Sequence, residues 1–376
     1  MVIMKMKLDN VLAFNNFEVS FSYPQKLKRS LIQNEYLCDY TNFRYKKANI
    51  FFGSNASGKT SLIKCIWDIV CLLKYKDISF LRKEINRNNA LIEIDFVDDN
   101  DNTYIYRMKI KIDNNDTFIA INRMLLKEED SYEKISKSLD NLEYEYKDYL
   151  ESLKQYDFNI SWYALLPATE EGFDIVRLVE CNNDKESKEY FNILNSVLKS
   201  LDTSIMNVKN SNDAKDAIVI EHENVGKIIV QAGNKISNIP YLSSGTKYGI
   251  SIANMLYCVK NKKDAIFLID EQFSYVNSDL EKAILSTMIS LLGESAQLFY
   301  TTHNEDVLEL AYPFHSFYFM KKKHIDNKQI IEISCASEVE NRNNVSAKSI
   351  IDNDIFSTVP NVEKIYELGV KDEGNY

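Results

Sequence analysis

A chain of 376 residues, 45% of them hydrophobic, is long enough for one large domain or two modest ones and apolar enough to rule out global disorder. With 5 prolines, 10 glycines and no stretch rich in either, it carries no composition suited to a flexible linker. A net charge of −10 argues against a protein whose main task is to grip a nucleic-acid backbone, although a local basic patch is compatible with it.

The opening, Met1 to Leu8, alternates as a strand does and lacks the regions of a signal peptide. No apolar run reaches the ~18 residues that a membrane span requires. No membrane is expected, and the cytoplasm is the expected address. The six cysteines, Cys38, Cys65, Cys71, Cys181, Cys258 and Cys335, form no CxxC pair, so a zinc site is not expected.

Met4–Leu8 and Phe17–Tyr23 read as short strands, and Ala48–Phe52 as a buried one. From Ser61 to Tyr75, Leu62, Ile63, Ile66, Ile69, Val70 and Leu73 recur at helical steps, with Cys65 and Cys71 as small core residues. Leu91–Val97 and Thr103–Ile112 resemble an antiparallel pair across the acidic turn Asp98–Asn102. Composition then shifts near Arg123. Ile135, Leu139, Leu142, Tyr146, Tyr149 and Leu153 predict one amphipathic helix or a short hairpin arm. A second helical patch, Ser187–Leu201, precedes a hairpin of Ala217–Glu221 and Val225–Gln231 with His222 in its turn.

From Tyr241 the order is regular. Helices are predicted at Gly245–Val259, Ser278–Leu291 and Glu305–Leu310, and strands at Ala265–Asp270, Ala296–Thr302 and His315–Met320. This alternation predicts a mostly parallel sheet covered on both faces. The basic run Lys321-Lys322-Lys323 reads as a solvated strand end. The expected division is an N-terminal lobe (1–122), a mainly helical insertion (123–216), a C-terminal lobe (217–340) and a C-terminal extension (341–376).

Between the strand at Ala48–Phe52 and the next helix lies Gly53-Ser54-Asn55-Ala56-Ser57-Gly58-Lys59-Thr60, a full match to GxxxxGK[ST], with Ser61 following. The glycines let the backbone curl so that several N–H groups face phosphate oxygens, and the helix N-terminus adds partial positive charge. Lys59 suits the β- and γ-phosphates, and Thr60 offers a hydroxyl to Mg²⁺. The motif therefore points to ATP with magnesium.

Much later, the strand ending in Asp270-Glu271 places one carboxylate where it can hold Mg²⁺ and another where it can take a proton from water. Leu242-Ser243-Ser244-Gly245-Thr246-Lys247 opens a helix and so forms another anion site. His303, in Phe299-Tyr300-Thr301-Thr302-His303-Asn304, follows a buried strand. Its order after Asp270-Glu271 favours a γ-phosphate contact over a structural role.

In that order (phosphate loop, LSSGT, hydrophobic-Asp-Glu, TTHN) the four motifs resemble the ABC-type ATPase heads of the SMC/RecF/OLD-like group, which includes AAA-type ATPases of bacterial anti-phage and abortive-infection systems. The match covers the chain to about residue 75 and then about residues 240–320, the middle only in general plan. The resemblance implies an α/β P-loop NTPase fold, an ABC-type head with an antiparallel β lobe and a helical insertion.

By the same resemblance, Lys59 and Thr60 are the Walker A lysine and magnesium hydroxyl, and Asn55 matches a GxNxSGK asparagine. Asp270 is the Walker B aspartate, Glu271 the catalytic base and His303 the switch histidine. Ser243 and Gly245 would touch the γ-phosphate held by a second copy, while Asn277, Ser278 and Asp279 fall where the D-loop lies. An ATP-sandwich homodimer, or a higher even-numbered oligomer, is implied. The sequence departs from the family in reading LSSGT rather than LSGGQ, a tail closer to OLD-like defence ATPases. The location of a Q-loop glutamine is left open: Gln155 is a poor candidate, and Ser161–Pro167, which has no glutamine, is a candidate for that region.

The resemblance leaves the role open. An ATPase of an anti-phage system is the leading expectation, since stand-alone heads with a short helical insertion and an LSSGT signature resemble that group. The nuclease or toxin it would control is expected on a separate polypeptide, because the 56 residues after position 320 (376 − 320) are too few for a TOPRIM nuclease domain. A RecF- or SMC-like repair ATPase binding DNA is the alternative. An ATP-gated assembly switch with little turnover, or a transporter subunit, stands behind it.

Overall fold

Buried strands and amphipathic helices build two six-stranded sheets with one helix trapped between them. The structure is a computed structural model, and it describes residues 1–24, 30–79, 81, 85, 89–99, 103–114, 116–167, 176–212, 214–235, 239, 241–273, 276–325, 328–339 and 347–348. The extension read at 341–376 lies outside the described residues except for Ala347 and Lys348.

In chain order the first half comprises β1 (Val2–Asp9), β2 (Phe17–Ser20), β3 (Tyr36–Leu37), β4 (Tyr40–Arg44), β5 (Ala48–Phe52), α1 (Lys59–Tyr75), β6 (Ala90–Asp99), β7 (Thr103–Asp113), β8 (Asp116–Leu125), α2 (Tyr132–Asp140), β9 (Lys147–Asp148), α3 (Tyr149–Lys154) and β10 (Trp162–Leu165). There follow α4 (Asp184–Leu201), β11 (Ile205–Asn210), β12 (Ala217–His222), β13 (Gly226–Gln231), α5 (Ser244–Asn261), β14 (Ile266–Asp270), α6 (Ser278–Leu291) and β15 (Gln297–Thr302). A 3₁₀ turn (Glu305–Glu309), β16 (Phe317–Ile325) and β17 (Lys328–Cys335) complete the main elements.

The central sheet runs β10-β14-β15-β5-β16-β17. Its first five strands are parallel and β17 returns antiparallel to β16. Period-two alternation sends successive side chains to opposite faces. Ile50, Phe52, Phe267 and Ile269 enter one core with α4, α5 and α6. Phe51, Ile266 and Leu268 enter the other, with α1 and the antiparallel sheet β2-β1-β6-β7-β8-β9. Because both faces of these strands are buried, their sequences read as near-continuous hydrophobic runs, broken in β5 only by the buried Asn49.

The 123–216 stretch is not helical throughout. It holds α2, α3 and α4, and also β9, β10 and β11, with β10 forming an edge of the central sheet. Strand β8, which the sequence reading did not anticipate, crosses its start. The apolar series from Ile135 to Leu153 is two short helices rather than one. Asn141 ends α2, and Lys147–Asp148 then pairs with β8 before Asp148 caps α3. Ile135 and Leu139 pack in one cluster and Leu153 in another, while Leu142 and Tyr146 are exposed. His222 closes β12 opposite Gly226 instead of lying in the turn. Lys321 and Lys323 sit in β16 and pair with Glu332 across the strands.

Candidate functional site

Parallel register brings the motifs together. Asp270, at the end of β14, lies abreast of Thr301 in β15, and Thr301 lies abreast of Phe51 in β5. Three strands thus deliver the Gly53 loop, the Asp270-Glu271 pair and the His303 turn to one edge, where open α/β sheets bind ligands.

The loop from Gly53 to Gly58 bends with left-handed backbone at Ala56 (φ 63°) and Gly58 (φ 100°). Crowding requires glycine at position 53 as well, where a Cβ would stand 2.4 Å from the Met320 carbonyl oxygen, whereas at Gly58 it would meet only the movable Cδ1 end of Ile331 and the positive φ selects glycine. Gly58 is the N-cap of α1 and supplies no side-chain cap, so the N-terminal N–H groups at Lys59, Thr60 and Ser61 have no such acceptor. Ser57 is buried and its hydroxyl has no hydrogen-bond partner among the described residues. Asn55 and Ala56 are exposed at the loop's tip and Ser54 is half-buried.

Lys59 is buried. Its Nζ donates to the carbonyl oxygens of Gly53 (2.7 Å) and Ser54 (3.1 Å) and pairs with Glu271 Oε1 at 2.9 Å. Glu271 has a positive φ of 48°, a strained backbone for a non-glycine residue. It is held there by its N–H, which reaches Thr301 Oγ1 at 3.1 Å. His303 Nδ1 stands 4.0 Å from Glu271 Oε2 and is half exposed. Glu271 therefore lies between the loop lysine and the histidine.

Asp270 is fully buried. Oδ1 accepts from Thr301 Oγ1 at 2.5 Å, while Oδ2 has no hydrogen-bond partner among the described residues. Burial raises the carboxyl's pKa. The hydroxyls of Thr301 and Thr60 oppose that rise, Glu271 adds to it and Lys59 opposes it. A buried carboxylate oxygen left over beside a threonine hydroxyl is the donor set a hard divalent cation takes, so Thr60 and Asp270 fit Mg²⁺.

The remaining predicted residues sit at the starts of α5 and α6 and at the end of α3. Ser243 is the N-cap of α5, where its hydroxyl accepts from the Thr246 N–H at 3.1 Å and meets Thr246 Oγ1 at 2.6 Å. Ser243 is exposed and Gly245 half-buried. Asp279 is exposed in the first turn of α6, pairing with Lys282 at 3.2 Å. Asn277 caps that helix, and Ser278 donates to Asp306 Oδ2 at 2.6 Å. Of the segment Phe273–Asp279, residues 274 and 275 lie outside the described residues. Gln155 ends α3 and donates to Ser152 O, while Ser161 leads into β10.

Thr301, inside the TTHN motif, holds both the Asp270 carboxylate and the Glu271 backbone N–H. Strand alternation could have found it, since Thr301 and Thr302 must face opposite sides of β15.

A family model described as "AAA domain, putative AbiEii toxin, Type IV TA system" matches residues 48–311. No curated protein matches the chain. Among solved structures, the Smc head bound to the C-winged helix domain of ScpA is similar with a TM-score of 0.51 and 13% identity, over 90% of this chain and 100% of that one. An Smc head with an extended coiled coil, bound to the C-terminal domain of ScpA derived from Pyrococcus furiosus, gives 0.48 and 12%, over 90% and 97%. The recombination mediator protein RecF gives 0.43 and 13%, over 88% and 97%. The first likeness shows the fold, that of an α/β P-loop NTPase with an ABC-type head, and the two scores below 0.5 add no argument.

Proposed function

The chain belongs to the AAA-domain family of that AbiEii-type description, and we propose that it binds ATP with Mg²⁺ and hydrolyses it. The observation that carries this reading is the meeting of Lys59, Asp270 and Glu271 at the ends of β5 and β14, with Lys59 Nζ 2.9 Å from Glu271 Oε1. The N–H groups from Gly53 to Ser61 would cradle the phosphates, and Thr60 and Asp270 would hold the magnesium. Bound there, Mg²⁺ supplies positive charge against the phosphate oxygens.

Lys59 can exchange its present acceptors for phosphate oxygens. Glu271, released from Lys59, can then accept a proton from water, and His303 beside it can contact the γ-phosphate. The exposed Ser243 and Asp279 support a second step, in which Ser243, Gly245 and Asp279 of another copy complete the site. Binding across such an interface makes ATP the link of a homodimer or a higher even-numbered oligomer.

The family's description names a toxin and a type IV TA system. It supports reading the chain as an ATPase of a bacterial defence system; that the chain is the sensor-scaffold component of an anti-phage system and controls a separate nuclease or toxin is proposed beyond those words. A net charge of −10 suits a protein partner better than a DNA clamp. Among the described residues, no helix is long and apolar enough to cross a membrane.

The test is Lys59→Ala, assayed for binding of a fluorescent ATP analogue and for phosphate release. Both should be lost, and unchanged ATP affinity would remove the loop from the site. Salt-dependent DNA binding by the native protein would favour the repair reading instead.

A further inference from the structure

His303 is half exposed, yet the turn that carries it is anchored beneath the surface by one carboxylate. Thr302 Oγ1 donates to Glu281 Oε1 at 2.8 Å, and Asn304 Nδ2 donates to Glu281 Oε2 at 2.8 Å. The Tyr300 hydroxyl donates to the same Oε1. The residues immediately before and after His303 thus end on a single side chain of α6. Glu281 is 4% exposed, on a helix face otherwise lined by Ile284, Leu285 and Met288. Three donors converge on its two oxygens, so Glu281 serves as an acceptor on both. Burial, and then Glu281 itself, push the Tyr300 phenol's pKa up and keep it a donor.

The brace extends outward. Asn304 Nδ2 also reaches Ser278 Oγ at 3.1 Å, and Asn304 Oδ1 accepts the Asp306 N–H at 3.0 Å. Asn304 is thereby fixed in orientation, with its amide directed at Glu281. On the opposite face of β15, Thr301 holds Asp270 and the Glu271 N–H. One strand end is pinned to the base on one side and to α6 on the other, with His303 between.

We propose that Glu281 is a positioning residue for His303, holding the imidazole over Glu271 through Thr302 and Asn304. The inference rests on the ATPase reading above and deepens it. Glu281 bonds Tyr300, Thr302 and Asn304, so its effect on His303 is carried by the turn.

The test uses the full chain and Glu281→Gln, which keeps an acceptor for Tyr300 and Thr302 but sets an NH₂ group against the Asn304 amide. At saturating ATP and Mg²⁺, kcat should fall about tenfold, with affinity for a fluorescent ATP analogue held within about twofold, as for a misplaced catalytic group. Reversing the polarity of the bond in Glu281→Gln/Asn304→Asp should restore at least about half of the native rate. In a His303→Ala background, which should retain residual turnover, Glu281→Gln should lower kcat no further, because the two act as one unit.

A native kcat in Glu281→Gln overturns the proposal. So does a loss that adds to that of His303→Ala, or a double variant that regains its melting temperature without its turnover. If Glu281→Gln does not fold, the near-isosteric Thr302→Val carries the test: it should show the same kcat loss, and full turnover overturns the proposal. Native protein without ATPase activity defeats the functional reading itself, whereas active native protein with a silent Glu281→Gln defeats only this inference.

Discussion

Glu271 Oε1 sits 2.9 Å from Lys59 Nζ, so the carboxylate assigned as base and the lysine assigned to phosphate hold one another. Their partnership makes the two side chains separable by mutation. Glu271→Gln removes the proton acceptor but leaves Lys59 its carbonyl partners at Gly53 and Ser54. ATP binding should persist while turnover drops by about 10² or more, the scale of a lost general base. Gel filtration with ATP should show the variant accumulating as the dimer. Hydrolysis at the native rate would remove Glu271 from that role.

Ser243 hydrogen-bonds within its own turn at the start of α5 and is exposed, in keeping with use by a second copy. Ser243→Arg should therefore leave ATP binding by one chain intact and abolish turnover. Mixing it with Glu271→Gln, itself inactive, should restore a measurable fraction of activity. In the mixed dimer, one site pairs the intact Glu271 of the first chain with the intact Ser243 of the second. Phosphate release by the mixture, against each variant alone, gives the answer, and a silent mixture would argue against a shared site.

Asp270 gives the pH dependence. Burial raises its pKa in the folded chain above the unfolded carboxylate value. The folded state then holds the proton more tightly, so this stabilisation is full below about pH 4 and is lost as pH rises through the folded pKa. Asp270→Asn is neutral throughout and its side-chain oxygen can still accept from Thr301. In EDTA at pH 7.5 it should melt roughly 1–3 °C above the native protein, the two converging toward acid pH. With ATP and Mg²⁺ the order should reverse, because only the native protein gains from the metal. Calorimetry under both conditions decides it.

The loop, the Asp270-Glu271 strand end and the start of α5 were legible because each is a short local pattern with its own backbone requirement, as Gly58 at φ 100° shows. Strand β8 was obscured because only part of it faces the core, so it lacks a clean alternation, and the charged stretch after Arg123 has helical spacing. The helix break at Asn141 was hidden by apolar residues whose spacing runs on although they belong to two clusters. Thr301 and Thr302 could be seen in the TTHN motif and Glu281 only as part of a helix, none of them with a role. Their partners lie 19 to 31 positions away in sequence, and only the register of β15 against β14 and the packing of α6 select them.

Arg107 supplies a prediction about the fold rather than the site. Its guanidinium is fully buried and grips Asp95 with two bonds, Nε to Oδ1 at 2.6 Å and Nη2 to Oδ2 at 2.7 Å. It also bonds Ser136 at 2.9 Å and pairs with Asp140, so α2 is fastened to β6 and β7 through this one side chain. Tyr132 of α2 adds a bond to Asp95 Oδ2 at 2.7 Å. Removing the cation strands a buried carboxylate, which costs far more than the pair contributes. Arg107→Met should therefore destabilise by about 3–5 kcal/mol. Converting the stranded charge in Arg107→Met/Asp95→Asn should recover part of that loss. Urea denaturation of the three proteins measures both steps. A double variant no more stable than Arg107→Met would mean that lost contacts, and not an uncompensated charge, carry the cost.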